Sequence, residues 1–300
     1  AHAHVIEHLA GVGQRGEMRA IGNGKARWIG GEEVKLIPDS WGDASFPHDT
    51  LVKVMDRHGV SKAVLMQGSF YGFCNDYTFE AQQSHPGRLF GMGTFDPYAH
   101  QSRAIMEHLI RDYKFRGLKF EISRSFGLMG YHPDLRIDGD PMTPIWEFAE
   151  KENLVVSLDL GTFGEPSFQI EAMARIAGRY AAIRFIIEHL FYPGPRRFND
   201  VRSALGLFVP LKNVFFTIAS IPNSAMPEAY PFPTASRYAG IARDIVGADR
   251  ILWGSDLPSV VVNATYRELI DYIAECGLFS TEELRKIYTE NANRVYRLEG

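Results

Sequence analysis

Short apolar runs return along this chain at nearly even intervals, with amphipathic stretches between them. "KAVLMQG", "RLFGMGTFDP", "FRGLKFEIS", "NLVVSLDLG", "IRFIIEHL", "NVFFTIAS" and "RILWGSD" are rich in Val, Ile, Leu, Phe and Trp. Each is the length of a parallel strand buried on both faces, which needs no polar alternation. Between them, "PHDTLVKVMDRHG", "PMTPIWEFAEKEN", "FQIEAMARIAGRY" and "TYRELIDYIAECG" place apolar residues three and four apart, as one face of a helix requires. The first of these stops at Gly59, a C-cap candidate. The repeat is roughly 30 residues, the size of one βα unit. The opening "AHAHVIEHLAG" supplies an eighth strand, which ends at His4 and is expected to begin upstream of Ala1.

Eight such units predict an α/β fold, a (β/α)8 TIM barrel forming a single domain over residues 1–300. A doubly wound open sheet shares the alternation, but no G-x-G-x-x-G follows a strand and no full phosphate loop is present. "GNGKAR" at 22–27 lacks the Ser/Thr of such a loop and reads as a turn. Residues 8–46 carry many glycines, Trp28 and Trp41, and no clear period. Since they follow the first strand, they predict either a long lid-like loop over the C-terminal face or a packed surface loop with structural tryptophans.

Composition limits the function. The net charge of −4 and the absence of a basic stripe argue against a nucleic-acid partner. No apolar run approaches the roughly 18 residues of a membrane span. Cys74 and Cys276 are too few for a disulfide framework or a thiolate zinc site. A reducing cytoplasm is the expected location, a small molecule the expected partner, and homo-oligomerisation is left open. Any metal must be held by His, Asp or Glu.

In a barrel, polar groups at the C-terminal strand ends form the site whatever their sequence separation. Those ends carry His2, His4, Gln67, Asp96, Lys119, Glu121, Asp159, His189, Ser220 and Asp256. Each has a plainer reading: a satisfied core histidine for His189, a cap or turn before Pro258 for Asp256, a turn for Asp96, an ion pair for Lys119 and Glu121. Their conjunction carries the argument, because a carboxylate closing a buried strand is costly unless paired, hydrogen-bonded or bound to metal. On alternate residues of a strand, His2 and His4 project to one face. Lys119, Arg124 and Arg196 lie near the expected mouth and suit a substrate carboxylate. Trp28, Trp41, Phe70, Tyr71 and Phe73 could wall a pocket or simply pack.

"AHAH", "RGLKFE", "IIEHL", "ILWGSDLP" and the closing "FSTEELRKIYTENANRVYRL" resemble the amidohydrolase superfamily, in its amidohydrolase-2 branch. The resemblance implies a mononuclear divalent metal, usually zinc, at the barrel mouth. His2 and His4 match its first-strand ligands, and Asp256 matches the last-strand carboxylate that touches the metal and accepts a proton from water. His189 matches the sixth-strand histidine that orients substrate and solvent. Asp159 stands where many members place a histidine ligand. It reads either as an oxygen ligand, tolerated by zinc and preferred by manganese, or as a sign of weak or absent metal, as in the related lactonases. Glu121 is a further oxygen candidate. The resemblance implies a metal-dependent hydrolase of a small, anionic lactone or amide. Non-oxidative decarboxylation of an aromatic or muconate-like acid is the alternative, and a catalytically inactive binding barrel is a third reading.

Overall fold

The computed structural model describes residues 2–298. Its strands in chain order are β1 (His2–Ala3), β2 (Val12–Gly13), β3 (Gly16–Gly22), β4 (Lys25–Trp28), β5 (Glu33–Lys35), β6 (Ala63–Met66), β7 (Leu89–Met92), β8 (Gly117–Glu121), β9 (Val155–Asp159), β10 (Arg184–Ile187), β11 (Val214–Thr217) and β12 (Ile251–Leu252). The parallel ladders run β1–β6–β7 and β8–β9–β10–β11–β12. Two isolated parallel bridges join these sheets into a ring: Gly93 with Leu118, and Ala3 with Leu257. At the second seam His4 N–H donates to Leu257 O at 3.0 Å and Asp256 N–H to His2 O at 2.9 Å. The first and last strands of the barrel are thus neighbours.

Helices α1 (His48–Arg57), α2 (Asn75–Ser84), α3 (Ser102–Arg111), α4 (Thr143–Lys151), α5 (Ile170–Arg179) and α6 (Phe198–Leu207) alternate with the strands. After β11 come α7 (Ile221–Ser224) and α8 (Pro233–Val246), and α9 (Tyr266–Glu275) follows β12. The periodic stretches read from the sequence fall on α1, α4, α5 and α9, and each buries its apolar stripe. Gly59 has φ of +70°, a conformation open to it because it lacks a Cβ. The barrel strands β6, β7, β10 and β11 are buried almost throughout, which is why they appear as unbroken apolar runs. No helix among the described residues is long and apolar enough to cross a membrane.

The segment after β1 is more ordered than its sequence predicts. Strands β2–β5 form an antiparallel sheet in sequential order. Asn23 and Gly24 both have positive φ (+53° and +65°), the pair of left-handed residues that a tight two-residue hairpin needs. The "GNG" is therefore the β3–β4 turn. A Cβ on Gly24 would lie 2.1 Å from the Ile37 carbonyl oxygen, so the close return of the chain also demands glycine. Trp28 is buried and stacks on Phe70 and Phe126, tying the sheet to the loops after β6 and β8. Trp41 stacks on Phe46, whose backbone bridges Ile6.

Candidate active site at the barrel mouth

Alternation along β1 turns His2 and His4 to the same side, both buried. Across the closing seam, Asp256 reaches them. His2 Nε2 lies 3.3 Å from His4 Nε2 and 3.2 Å from Asp256 Oδ1, and His4 Nε2 lies 3.0 Å from the same oxygen. Asp256 and His189 both hold left-handed backbone conformations (φ +58° each), and His189 begins a run of four such residues through Tyr192. Non-glycine residues in this region cost on the order of 1 kcal/mol each, strain that concentrates at functional sites.

The residue that sequence reading missed is Glu188. Its buried carboxylate accepts from His2 Nδ1 at 2.9 Å and Thr217 Oγ1 at 2.5 Å, and also from Ser157 Oγ. The signal was present in "IIEHL": a glutamate inside an apolar run needs partners as much as the histidine beside it. Burial opposes the Glu188 charge, but His2 outweighs it and holds the carboxyl down to about 2. Burial likewise opposes protonation of His2, yet Glu188 and Asp256 raise it to about 9, while burial lowers His4 to about 4. Asp256 sits well below the ordinary carboxylate range: burial works against its charge, and His189 with the hydrogen bonds from His2 and His4 prevails.

Three atoms in mutual contact cannot all be hydrogen-bonded. Each ring nitrogen presents either an N–H or a lone pair, so one edge of the triangle always sets like against like. A cation at the centre, taking a lone pair from each, removes that conflict. The separations of 3.0–3.3 Å also match the edge of about 3.3 Å expected of a tetrahedron with bonds of 2.0–2.1 Å. His2 Nδ1, held by Glu188, forms the carboxylate–histidine arrangement that fixes a ligand's tautomer. His2, His4 and Asp256 therefore fit a divalent ion.

His189 is anchored differently. Its Nδ1 donates to the Ala219 carbonyl at 2.8 Å, leaving Nε2 toward Asp159 Oδ2 at 3.5 Å. Asp159 does not join the three-ligand group, and its other oxygen accepts from Gly161 N–H at 2.8 Å. Burial, then Glu121, push its carboxyl up to about 7. Lys119 Nζ donates to Glu121 Oε2 at 2.9 Å, and Ser123 Oγ to Oε1 at 2.6 Å. Burial opposes the Lys119 charge, but Glu121 and Asp159 raise its pKa overall. Gly68 makes room for this pair, since a Cβ there would lie 2.9 Å from Lys119 Nζ.

These groups line one cleft of about 470 Å³, together with Phe70, Tyr71, Phe126, Tyr192, Asn223 and Asn263, and with Val34–Leu36 at its meander side. The position over the mouth expected of the segment after β1 is thus found, as a sheet edge. Two expected substrate contacts stand apart from the cleft lining. Arg124 and Arg196 are exposed and neither lines the cleft. Arg124 falls between Ser123 and Ser125, which do line it, and Arg196 lies in the turn before α6. Of the three expected cations only Lys119 faces the cleft, and Glu121 neutralises it. Gln67 instead bonds both backbone groups of Val5, and Asp96 caps Tyr98 N–H and pairs with His132.

Imidazole and carboxylate side chains, here candidate metal ligands, gather at the C-terminal mouth of a parallel eight-stranded barrel, the face on which such folds carry their sites. The chain belongs to the amidohydrolase family Amidohydro_2, whose model matches residues 1–298. Among solved structures it is similar to a zinc-bound amidohydrolase from Burkholderia multivorans, with TM-score 0.68 and 17% identity over 85% of this chain and 89% of that one. A "probable 2-pyrone-4,6-dicarboxylic acid hydrolase" from Acinetobacter baumannii, with citric acid bound, gives TM-score 0.62 and 17% identity over 88% and 92%. The 5-carboxyvanillate decarboxylase of Sphingomonas paucimobilis gives 0.57 and 14% over 82% of each chain. No curated protein matches the chain. At these identities the structures share the fold.

Proposed function

We propose that the cleft hydrolyses a small lactone or amide, with one divalent ion, zinc in the first instance, held by His2, His4 and Asp256. The observation that carries this reading is the triangle of His2 Nε2, His4 Nε2 and Asp256 Oδ1 on the cleft wall. When bound, such an ion polarises a carbonyl and lowers the pKa of water from 15.7 to about 7. Asp256, ionised and at the edge of the triangle, accepts the proton from the attacking water and returns it to the departing oxygen or nitrogen. His189 Nε2, its ring fixed by Ala219 O, hydrogen-bonds substrate or solvent on the other side, next to Asp159. With an ion in place of the Nε2 proton, Glu188 would keep accepting from His2 Nδ1–H and so hold Nε2 turned toward the ion.

Hydrolysis is preferred to decarboxylation on the pairing of Asp159 with His189 at the cleft, the feature in which the chain resembles the lactonases of the branch. Among the described residues no arginine lines the cleft and Lys119 is paired with Glu121, so a small anionic substrate is held chiefly by the ion. The test is turnover of a lactone and amide panel, beside aromatic acids, by protein loaded with zinc or manganese. Lactone opening, reduced about 10²–10⁴-fold in Asp256→Asn, supports hydrolysis. Release of carbon dioxide without lactone turnover overturns it in favour of the decarboxylase. Bound metal with neither reaction leaves a binding barrel.

A further inference from the structure

A second triangle of the same kind lies outside the barrel mouth. His48 opens α1, Asp49 follows it, and His85 closes α2. His48 Nδ1 stands 3.0 Å from His85 Nε2 and 3.3 Å from Asp49 Oδ1, and His85 Nε2 lies 2.9 Å from that same oxygen. The two rings are 5.1 Å apart at 66°, against 5.1 Å and 64° for His2 and His4. Both imidazoles are largely buried, at 13% and 20% side-chain exposure, while Asp49 at 65% leaves an open side.

The proton argument applies again. If His48 Nδ1 carries the hydrogen, the lone pair of His85 Nε2 faces the Asp49 carboxylate. If His85 Nε2 carries it, the lone pair of His48 Nδ1 faces the carboxylate instead. If both carry one, two N–H groups meet at 3.0 Å. Nor does the helix N-terminus explain the cluster, because its partial positive charge attracts the carboxylate but not two inward-turned histidines. The geometry points to a second divalent transition-metal site, formed by His48 Nδ1, Asp49 Oδ1 and His85 Nε2, with water at the open side. Two nitrogens and one oxygen suit zinc, and also nickel or cobalt. His48 is two residues beyond Phe46, where the segment returning from β5 rejoins the barrel at Ile6. An ion here fastens that return to α2, away from the cleft.

The test counts zinc by equilibrium dialysis and elemental analysis, and is independent of any turnover. His2→Ala/His4→Ala protein, which lacks the mouth site, is expected to keep one equivalent, and adding His85→Gln is expected to remove it. Zinc should raise the Tm of the double variant and leave the triple variant unmoved. In the unaltered cleft, His85→Gln alone should lose one equivalent relative to the parent, which keeps the test valid should the double variant fail to fold. Zinc binding by the parent and by His85→Gln in equal amount overturns the proposal. So does a folded double variant that binds none.

Discussion

Glu188 does not line the cleft, yet it sets the state of His2, from whose Nδ1 it accepts at 2.9 Å. Glu188→Gln keeps the shape and removes the charge, so a ligand tautomer once fixed becomes a choice. Metal affinity at the mouth should fall about 10–100-fold, read by competition against a chelating dye. An unchanged affinity would mean that the carboxylate serves packing alone. Asp159 gives the pH dependence. Its carboxyl, pushed by burial and Glu121 to about 7, lies above its unfolded value near 3.9. Its folded state therefore binds a proton that the unfolded chain has released. The stabilisation is complete below about pH 4 and is lost as pH rises through 7. Between those limits the parent should lose Tm relative to Asp159→Asn, and parallel curves from the two proteins would refute the assignment. At this scale the sequence was legible where chemistry and position coincide, as in His2, His4, His189 and Asp256. Arg124 and Arg196 lie outside the cleft lining, because closeness to a strand end in sequence does not fix the direction of an exposed side chain.

Elements were legible in proportion to their burial. Barrel strands covered on both faces announce themselves as apolar runs, and helices α1 and α5 show their stripe at helical spacing. Strands β3–β5 do not, for most of their residues are exposed or half-buried and their turns are spent on glycine. The one local signal was Asn23-Gly24, whose left-handed pair closes the hairpin. Since Ile37 O already occupies the space of a side chain at 24, Gly24→Val must open the turn or displace the segment after β5. A destabilisation of about 1–3 kcal/mol is expected. Because Val34–Leu36 form one wall of the cleft, KM should rise more than kcat falls. The reverse pattern would place the meander's role in the chemical step.

Closure is the property of the molecule that no single segment could reveal. The last ladder of the ring is made by β1 and the residues after β12, where Ala3 bridges Leu257 and His2 O accepts from both Ser255 and Asp256. Two candidate ligands come from one side of that seam and the third from the other. An ion bound there ties the two ends of the barrel sequence together across a seam of few backbone bonds. Removing it should be felt globally: at an ion concentration of about 100 times Kd, binding adds about 2.7 kcal/mol to folding. For a chain of this size that is several degrees of Tm. Chelation should lower the Tm of the parent by this amount, and a second drop should follow from the α1–α2 site if both ions are removed. Hydrogen exchange tells the two apart. Loss of the mouth ion should deprotect His4, Ser255 and Asp256 amides first, whereas loss of the outer ion should deprotect the start of α1 and the end of α2. Chelation that lowers Tm while leaving the seam amides protected would show that the mouth ion does not close the barrel.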